Sequence, residues 1–232
     1  MSQFKRGRRA SVHTRRTMRL ALRMHQALSA LGTPPTKSDN YVSAVFSQLN
    51  AADQPSGGPW GMYLNGPDAR ASAIGAPPGG IGDCTAADSA HQVMLHSANG
   101  GQIVVPSDAD TLTFYEATSG YVLGNESTDQ GADETTVSRY LVSNGLAGVK
   151  STTTAPIDPA NIDHIKWAVQ IFGAVRLGEI VDDAMEDQFT SLEPWVTAAA
   201  ANDPSAGGHD TPGMLYDEDY LSVVTWEIGS AS

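Results

Sequence analysis

Ile81-Gly-Asp-Cys-Thr-Ala-Ala-Asp88 is the most informative stretch of this 232-residue sequence, because it contains the only cysteine at the start of a predicted helix. Residues 84–96 contain no glycine or proline and repeat apolar side chains at helical spacing. A thiol in the first turn of a helix lies in the positive end of the helix dipole, which favours the reactive thiolate. Backbone N–H groups there can also bind an oxyanion. Cys84 is therefore a candidate nucleophile, and an inert packed cysteine is the alternative.

The composition predicts a loop-rich globular protein with one substantial core. Hydrophobic residues make up 41% of the chain, while its 23 glycines and 13 prolines indicate many loops. A single cysteine excludes an internal disulfide and a cysteine-rich zinc site. No apolar run approaches the roughly 20 residues of a membrane span, and Arg23 interrupts the N-terminal apolar segment, so no signal peptide is predicted. No nucleotide-binding fingerprint is present, and we expect no cofactor and a cytoplasmic or virion-associated protein.

The charge of the chain is divided unevenly. Residues 1–24 hold eight of the 14 Lys and Arg residues and no acid, which leaves six basic residues against 26 acids in residues 25–232. We therefore predict a basic N-terminal arm over residues 1–24 and a single acidic domain over residues 25–232. Such an arm can contact an anionic protein, the acidic body of another copy or, less favourably, nucleic acid, and a solvated tail is the alternative.

The order of predicted elements indicates an α+β fold with helices before strands. Residues 66–80 are small, almost uncharged and rich in Pro and Gly, so they predict an inserted surface loop ahead of Cys84. A β-branched and aromatic run predicts a strand over residues 220–226, with Asp217 to Asp219 at a hairpin tip. Helices are predicted over residues 15–31, 41–49, 84–96, 109–118, 133–144 and 161–172, and a further strand over residues 173–178.

Several short motifs follow one another along most of the chain. They are Arg6-Gly-Arg-Arg9, Trp60-Gly-Met-Tyr-Leu-Asn65, Gly82-Asp83-Cys84-Thr85, Pro106-Ser-Asp-Ala-Asp110, Tyr115-Glu-Ala-Thr-Ser-Gly-Tyr121, Ser127-Thr-Asp-Gln-Gly131, Gly207-Gly-His209 and Val223-Val-Thr-Trp226. In this order they resemble a group of papain-like proteins of actinobacteria and their phages. The resemblance implies a papain-like cysteine peptidase fold, in which the nucleophile helix of a helical N-terminal half packs on a later antiparallel sheet.

The resemblance also implies a catalytic pair and a reaction. Cys84 matches the nucleophile of the group, and His209 matches its general base. These residues would cleave peptide or amide bonds, so the expected partner is a protein or peptide. Without the resemblance, His209 is a loop histidine in a stretch rich in Gly and Pro.

The sequence departs from the group at the residues that assist this pair. Pro78 stands where the group has an amide six residues before the cysteine, so Asn65 can supply the oxyanion donor only if the loop over residues 66–80 folds back. Val224 stands where papain has its orienting Asn, and Thr225 beside it is a weaker substitute.

Two further expectations concern the strand that carries His209. Asp210 is expected to point away from the histidine, because neighbours on a strand alternate faces. Pro212 is expected to shorten or move the strand, because proline has no N–H for the ladder.

These departures leave two functions open. One is an active hydrolase, and the other is an impaired papain-like fold that serves as a structural or interaction protein, such as a phage virion component assembled through the basic arm.

The remaining acidic and histidine residues predict no metal site. Asp182, Asp183, Glu186 and Asp187 lack the spaced oxygens of a calcium loop, so we interpret them as solvated surface. His91 and His96 lie five residues apart and do not share a helix face, which predicts one packed and one exposed histidine.

Overall fold

The computed structural model describes residues 8–9, 15–49, 60–66, 74–195 and 203–226, and for residues 8–9 and 15–21 it describes the backbone alone. Helices precede most of the strands, as the sequence predicted. The helices are α1 (Arg15–Ser29), α2 (Val42–Gln48), α3 (Cys84–Asn99), α4 (Asp108–Ser119), α5 (Glu134–Ser143), α6 (Ile162–Phe172) and α7 (Asp183–Thr190). The strands are β1 (Arg8–Arg9), β2 (Ala132–Asp133), β3 (Val175–Val181), β4 (Gly207–Tyr216) and β5 (Leu221–Val223).

α3 is the central helix of the described structure. It begins at Cys84 as predicted and continues to Asn99, three residues beyond the predicted end. Its side chains are buried along most of its length, and α2, α4 and β4 pack around it. This arrangement confirms that the helix beginning at Cys84 packs on a later antiparallel sheet.

Local capping chemistry sets several helix starts. Ser107 and Asp110 form a reciprocal capping box at α4, in which the serine hydroxyl accepts the Asp110 N–H and the Asp110 carboxylate accepts the Ser107 N–H. Asn161 caps α6 by accepting the N–H of His164. Both starts lie within one residue of the predicted positions, because such caps depend on short-range sequence alone.

β3, β4 and β5 form an antiparallel sheet with β4 in the middle. The expectation that Pro212 shortens the strand of His209 is wrong, because β4 runs through Pro212 for 10 residues. The Pro212 carbonyl accepts the Val224 N–H, so the missing proline N–H also faces the β5 side of the strand. The β4–β5 ladder extends only to Gly213 opposite Val223, so the missing N–H lies just beyond its end.

The strand predicted over residues 220–226 is shorter than expected, since β5 covers only Leu221–Val223. The register between β4 and β5 shifts between Gly213 and Leu215, which bends the pair away from regular pairing. Asp217 to Asp219 form the hairpin tip, as predicted.

The interpretation of residues 182–187 as solvated surface is wrong for half of the cluster. Asp182 and Glu186 are buried, and the Asp182 carboxylate accepts the Met185 N–H at 2.9 Å as the N-cap of α7, a helix that the sequence did not predict. Asp183 and Asp187 are exposed. Among the described residues, no group of His, Cys, Asp or Glu has the arrangement of a metal site.

The basic arm falls mostly outside the described residues. Within it, Arg8 and Arg9 pair in parallel with Ala132 and Asp133 of β2, so this segment contacts its own chain. The partner predicted for the arm stays a prediction. No described helix combines the length and apolar character needed to cross a membrane.

Candidate active site

The turn that presents Cys84 is held by a carboxylate from a distant loop. Cys84 is the first residue of α3, and its relative exposure is 1%. The Gly82 N–H donates to both carboxylate oxygens of Asp129, each at 3.0 Å, and the Tyr115 hydroxyl donates to the same carboxylate at 2.7 Å. Hydrogen bonds to a carboxylate are among the stronger ones in proteins, so Asp129 anchors the turn that carries the thiol.

Asp83 brings a second, fully buried carboxyl group next to the thiol. Burial raises the pKa of Asp83 well above its ordinary value, and the negative charge of Asp129 adds to this shift. Among the described residues, neither oxygen of this carboxyl group has a hydrogen-bond partner. The surroundings therefore favour the uncharged acid at the start of α3.

Asn65 reaches the site because the loop over residues 66–80 does fold back at its described ends. The Ile81 N–H donates to the Leu64 carbonyl at 2.8 Å, and the Asn65 amide donates to the Ile81 carbonyl at 3.3 Å. Gly80 closes this contact, with a φ of +75° and no room for a side chain. Residues 67–73 of the loop lie outside the described residues.

Pro78 lies exposed in the turn before Gly80, at the position where the resemblance implied an amide. The buried Asn65 side chain lines the pocket beside Cys84 instead.

His209 lies on β4 with a relative exposure of 2%. Its Nε2 atom lies 3.0 Å from the Thr225 hydroxyl oxygen, and either group can be the donor, according to the tautomer of the ring. The ring stacks on Trp226, with centroids 4.2 Å apart and planes 21° from parallel. Thr225 and Trp226 therefore hold the orientation of the imidazole from the end of the β5 segment.

All four candidate residues from the sequence line one pocket. Cys84 and Asn65 border it from the α3 side, and His209 and Thr225 border it from the sheet. Val224, which occupies the position of the papain Asn, also borders it.

Sequence reasoning missed a buried charge cluster beside this pocket. Arg176 of β3 lies between Asp88 of α3 and Asp210 of β4, and it bonds to both carboxylates. Asp210, which was expected to point away from the histidine, is buried against Arg176 and borders the same pocket. The available signal was an acid on each of two elements that are predicted to pack together, because buried carboxylates require a positively charged partner.

The two histidines of α3 behave as predicted. His91 is buried, and its Nε2 atom donates to the Gly61 carbonyl at 2.9 Å, whereas His96 is exposed. Burial lowers the pKa of His91 to about 4 despite this hydrogen bond, so the ring is neutral near pH 7. Its ring also packs against Trp60 and Tyr63, which fastens residues 60–65 to α3.

Comparisons with known proteins show the fold. No protein-family model matches the chain, and no curated protein matches it in sequence. Among solved structures, the chain is similar to xylellain, a cysteine protease from Xylella fastidiosa, with a TM-score of 0.56 and 14% identity. The similarity covers 98% of this chain and 88% of that protein. The chain therefore has the α+β fold of papain-like cysteine peptidases, as the sequence predicted.

Proposed function

We propose that this protein is a papain-like thiol hydrolase that cleaves peptide or amide bonds, with Cys84 as nucleophile and His209 as general base. One observation carries the proposal. The start of α3 and the middle strand of the sheet bring Cys84 and His209 to the same pocket, with a Thr225 hydroxyl on Nε2 of the histidine. A nucleophile, a base and a group that orients the base are the parts that covalent hydrolysis requires.

The chemistry follows from this arrangement. In the tautomer whose Nε2–H donates to Thr225, the lone pair of Nδ1 accepts the proton of the thiol. The Cys84 sulfur attacks the carbonyl carbon, and the imidazolium returns its proton to the departing amine. Water, deprotonated by His209, then attacks the acyl thioester and releases the acid together with the thiol. Asn65 and the Cys84 backbone N–H are the candidate donors to the oxyanion.

The proposal predicts an activated thiol. We expect iodoacetamide and an epoxide inhibitor to modify Cys84 near pH 7 at least about tenfold faster than they modify free cysteine. The rate should fall below that of free cysteine in His209→Ala, because the buried thiol loses its base. Cys84→Ser is the control for labelling at any other site, and mass spectrometry locates the label. If Cys84 in the intact protein reacts no faster than free cysteine, the proposal is wrong.

Two observations favour a second candidate: Cys84 and His209 are almost fully buried, and the side chain that bonds the histidine is the threonine hydroxyl of Thr225 and not an Asn or Asp. In this case the fold serves as a structural or interaction protein, such as a virion component, in which the basic arm binds the acidic body of another copy. Replacing the eight arm residues Lys5, Arg6, Arg8, Arg9, Arg15, Arg16, Arg19 and Arg23 with Gln should abolish assembly at low salt in sedimentation experiments. A protein that is monomeric at low salt with its arm intact would contradict this candidate.

A further inference from the structure

Arg176 links the two elements that carry the candidate catalytic pair. Its guanidinium donates to the Thr85 carbonyl at 3.2 Å and to the Ser89 hydroxyl at 2.7 Å, both on α3. It also forms ion pairs with Asp88 of α3 and Asp210 of β4. A single side chain from β3 therefore holds the helix and the middle strand together.

The linked residues are the neighbours of the catalytic pair. Asp88 lies four residues after Cys84 and therefore one helical turn along α3 on the same face. Asp210 directly follows His209 on β4. The guanidinium therefore contacts residues one to five positions from Cys84 and one position from His209.

The geometry of this link depends on the shape of the arginine side chain. Nη1 bonds to Asp210 and Thr85, while Nη2 bonds to Asp88 and Ser89, so each nitrogen has its own set of partners. A planar fork can meet these partners together, whereas a lysine ammonium is a single point that cannot span both sets. The Gln92 amide further fixes Asp88 by donating to its carboxylate.

Arg176 supplies the positive charge that two buried carboxylates share. The side chains of Asp88 and Asp210 are fully buried, and that of Arg176 is 13% exposed. Burial raises the pKa values of both carboxyl groups, and the guanidinium opposes this shift. Burial alone lowers the pKa of Arg176, but the two carboxylates more than offset it, so the guanidinium stays charged.

We propose that Arg176 is a positioning residue that sets the alignment of Cys84 with His209 by fixing α3 to β4. This inference rests on the proposed hydrolase function, because alignment matters only if the pair reacts. A purely structural ion cluster is the competing interpretation. It predicts lower stability without any change in how the thiol reacts.

The test measures the pH profile of Cys84 alkylation by iodoacetamide in Arg176→Lys, together with thermal unfolding. We expect a folded variant whose alkylation near pH 7 is at least about tenfold slower and whose profile moves toward that of a simple thiol, because a small misplacement of reacting groups costs large factors in rate. Lys166→Met is the matched control. Lys166 binds the carbonyls of Asp217 and Glu218 at the far end of the β4 hairpin, and removing it should leave the profile unchanged.

A second variant keeps the inference testable if Arg176→Lys does not fold. The triple variant Asp88→Asn, Arg176→Met, Asp210→Asn removes the whole buried charge cluster and should fold, yet its alkylation should be as slow as expected for Arg176→Lys. A profile identical to that of the original protein, in either folded variant, would overturn the inference and leave the hydrolase function intact. An original protein whose thiol reacts no faster than free cysteine would instead overturn the hydrolase function, and this inference with it.

Discussion

The two sides of the pocket are built in different ways. On the cysteine side, backbone groups carry most of the contacts: Gly82 donates to Asp129, and Ile81 pairs with Leu64. On the histidine side, the orientation of the ring rests on the hydroxyl of Thr225 and the stacked ring of Trp226. The cysteine side is therefore held mainly by backbone groups, whereas the orientation of the histidine ring depends on a few side chains just beyond the end of a short strand.

This difference predicts different consequences of mutation. Changes on the cysteine side should act mainly on the free energy of unfolding, because they disturb buried backbone contacts around α3. Changes on the histidine side should act mainly on the reactivity of the thiol, because the sheet stays intact when one side-chain hydrogen bond is lost. Each prediction below tests one side of the pocket.

The largest expected effect is that of Gly80→Ala on the cysteine side. A Cβ atom at Gly80 would lie 2.5 Å from the Leu64 carbonyl oxygen, and the φ of +75° is unfavourable for alanine. We expect the free energy of unfolding to fall by about 4 kcal/mol, from backbone strain and steric overlap together. Chemical denaturation measures this loss.

Gly79→Ala is the matched control, because a Cβ atom at Gly79 has nothing within 4 Å. It should change the free energy of unfolding by less than about 0.5 kcal/mol. Equal effects of the two substitutions would show that the return of the loop to Leu64 does not support the cysteine side.

The second prediction is that low pH lowers the free energy of unfolding, because protonation of His91 on the cysteine side favours the unfolded chain. The pKa of this buried ring is about 4 in the folded protein, against 6.5 for the ordinary side chain, so the unfolded chain takes up its proton first as the pH falls. His91 should therefore contribute a loss of about 3 kcal/mol in the free energy of unfolding between pH 6.5 and pH 4. His91→Gln, which keeps an N–H donor for Gly61, should remove that part of the pH dependence in denaturation curves. Parallel pH profiles for the two proteins would contradict the prediction.

The smallest effect is expected on the histidine side, from Thr225→Val. This change removes the hydroxyl group that bonds Nε2 of His209 and keeps the shape of the side chain. We expect Cys84 alkylation near pH 7 to slow by about tenfold, which corresponds to one hydrogen bond of about 1.4 kcal/mol. The thermal unfolding midpoint should barely move.

Thr225→Ser and Thr225→Asn sharpen the same test. Serine keeps the hydroxyl and should keep the alkylation rate, while asparagine supplies an amide at the same position and should give a protein that reacts at least as fast as the original. An alkylation rate that does not change in Thr225→Val would show that the ring of His209 is oriented by Trp226 and the strand alone.

Much of the fold followed from short-range patterns. The start of α3 at Cys84 was predicted correctly, and the start of α4 was predicted to within one residue, because each depends on residues within a few positions. α7 was missed because its acidic residues were interpreted as surface, although Asp182 caps the helix and Glu186 is buried. Caps and charged surface use the same residue types, so composition alone does not separate them.

For the candidate site, too, some expectations agree with the structure and others do not. Cys84, Asn65, His209 and Thr225 were all named from the sequence, and the structure brings all four to one pocket. The expected effect of Pro212 was wrong, because whether a missing N–H matters depends on which neighbouring strand lies beside it.

Local sequence was sufficient to predict that a helix begins at Cys84, because a glycine, a capping position and an uninterrupted helix act over a few residues. The link between Asp88, Arg176 and Asp210 could not be predicted in that way. Its three members come from α3, β3 and β4, and their charges become partners only when packing removes water from between them. The start of α3 thus follows from neighbouring residues, whereas the contacts that hold its turn and those that join α3 to the sheet come from distant parts of the chain.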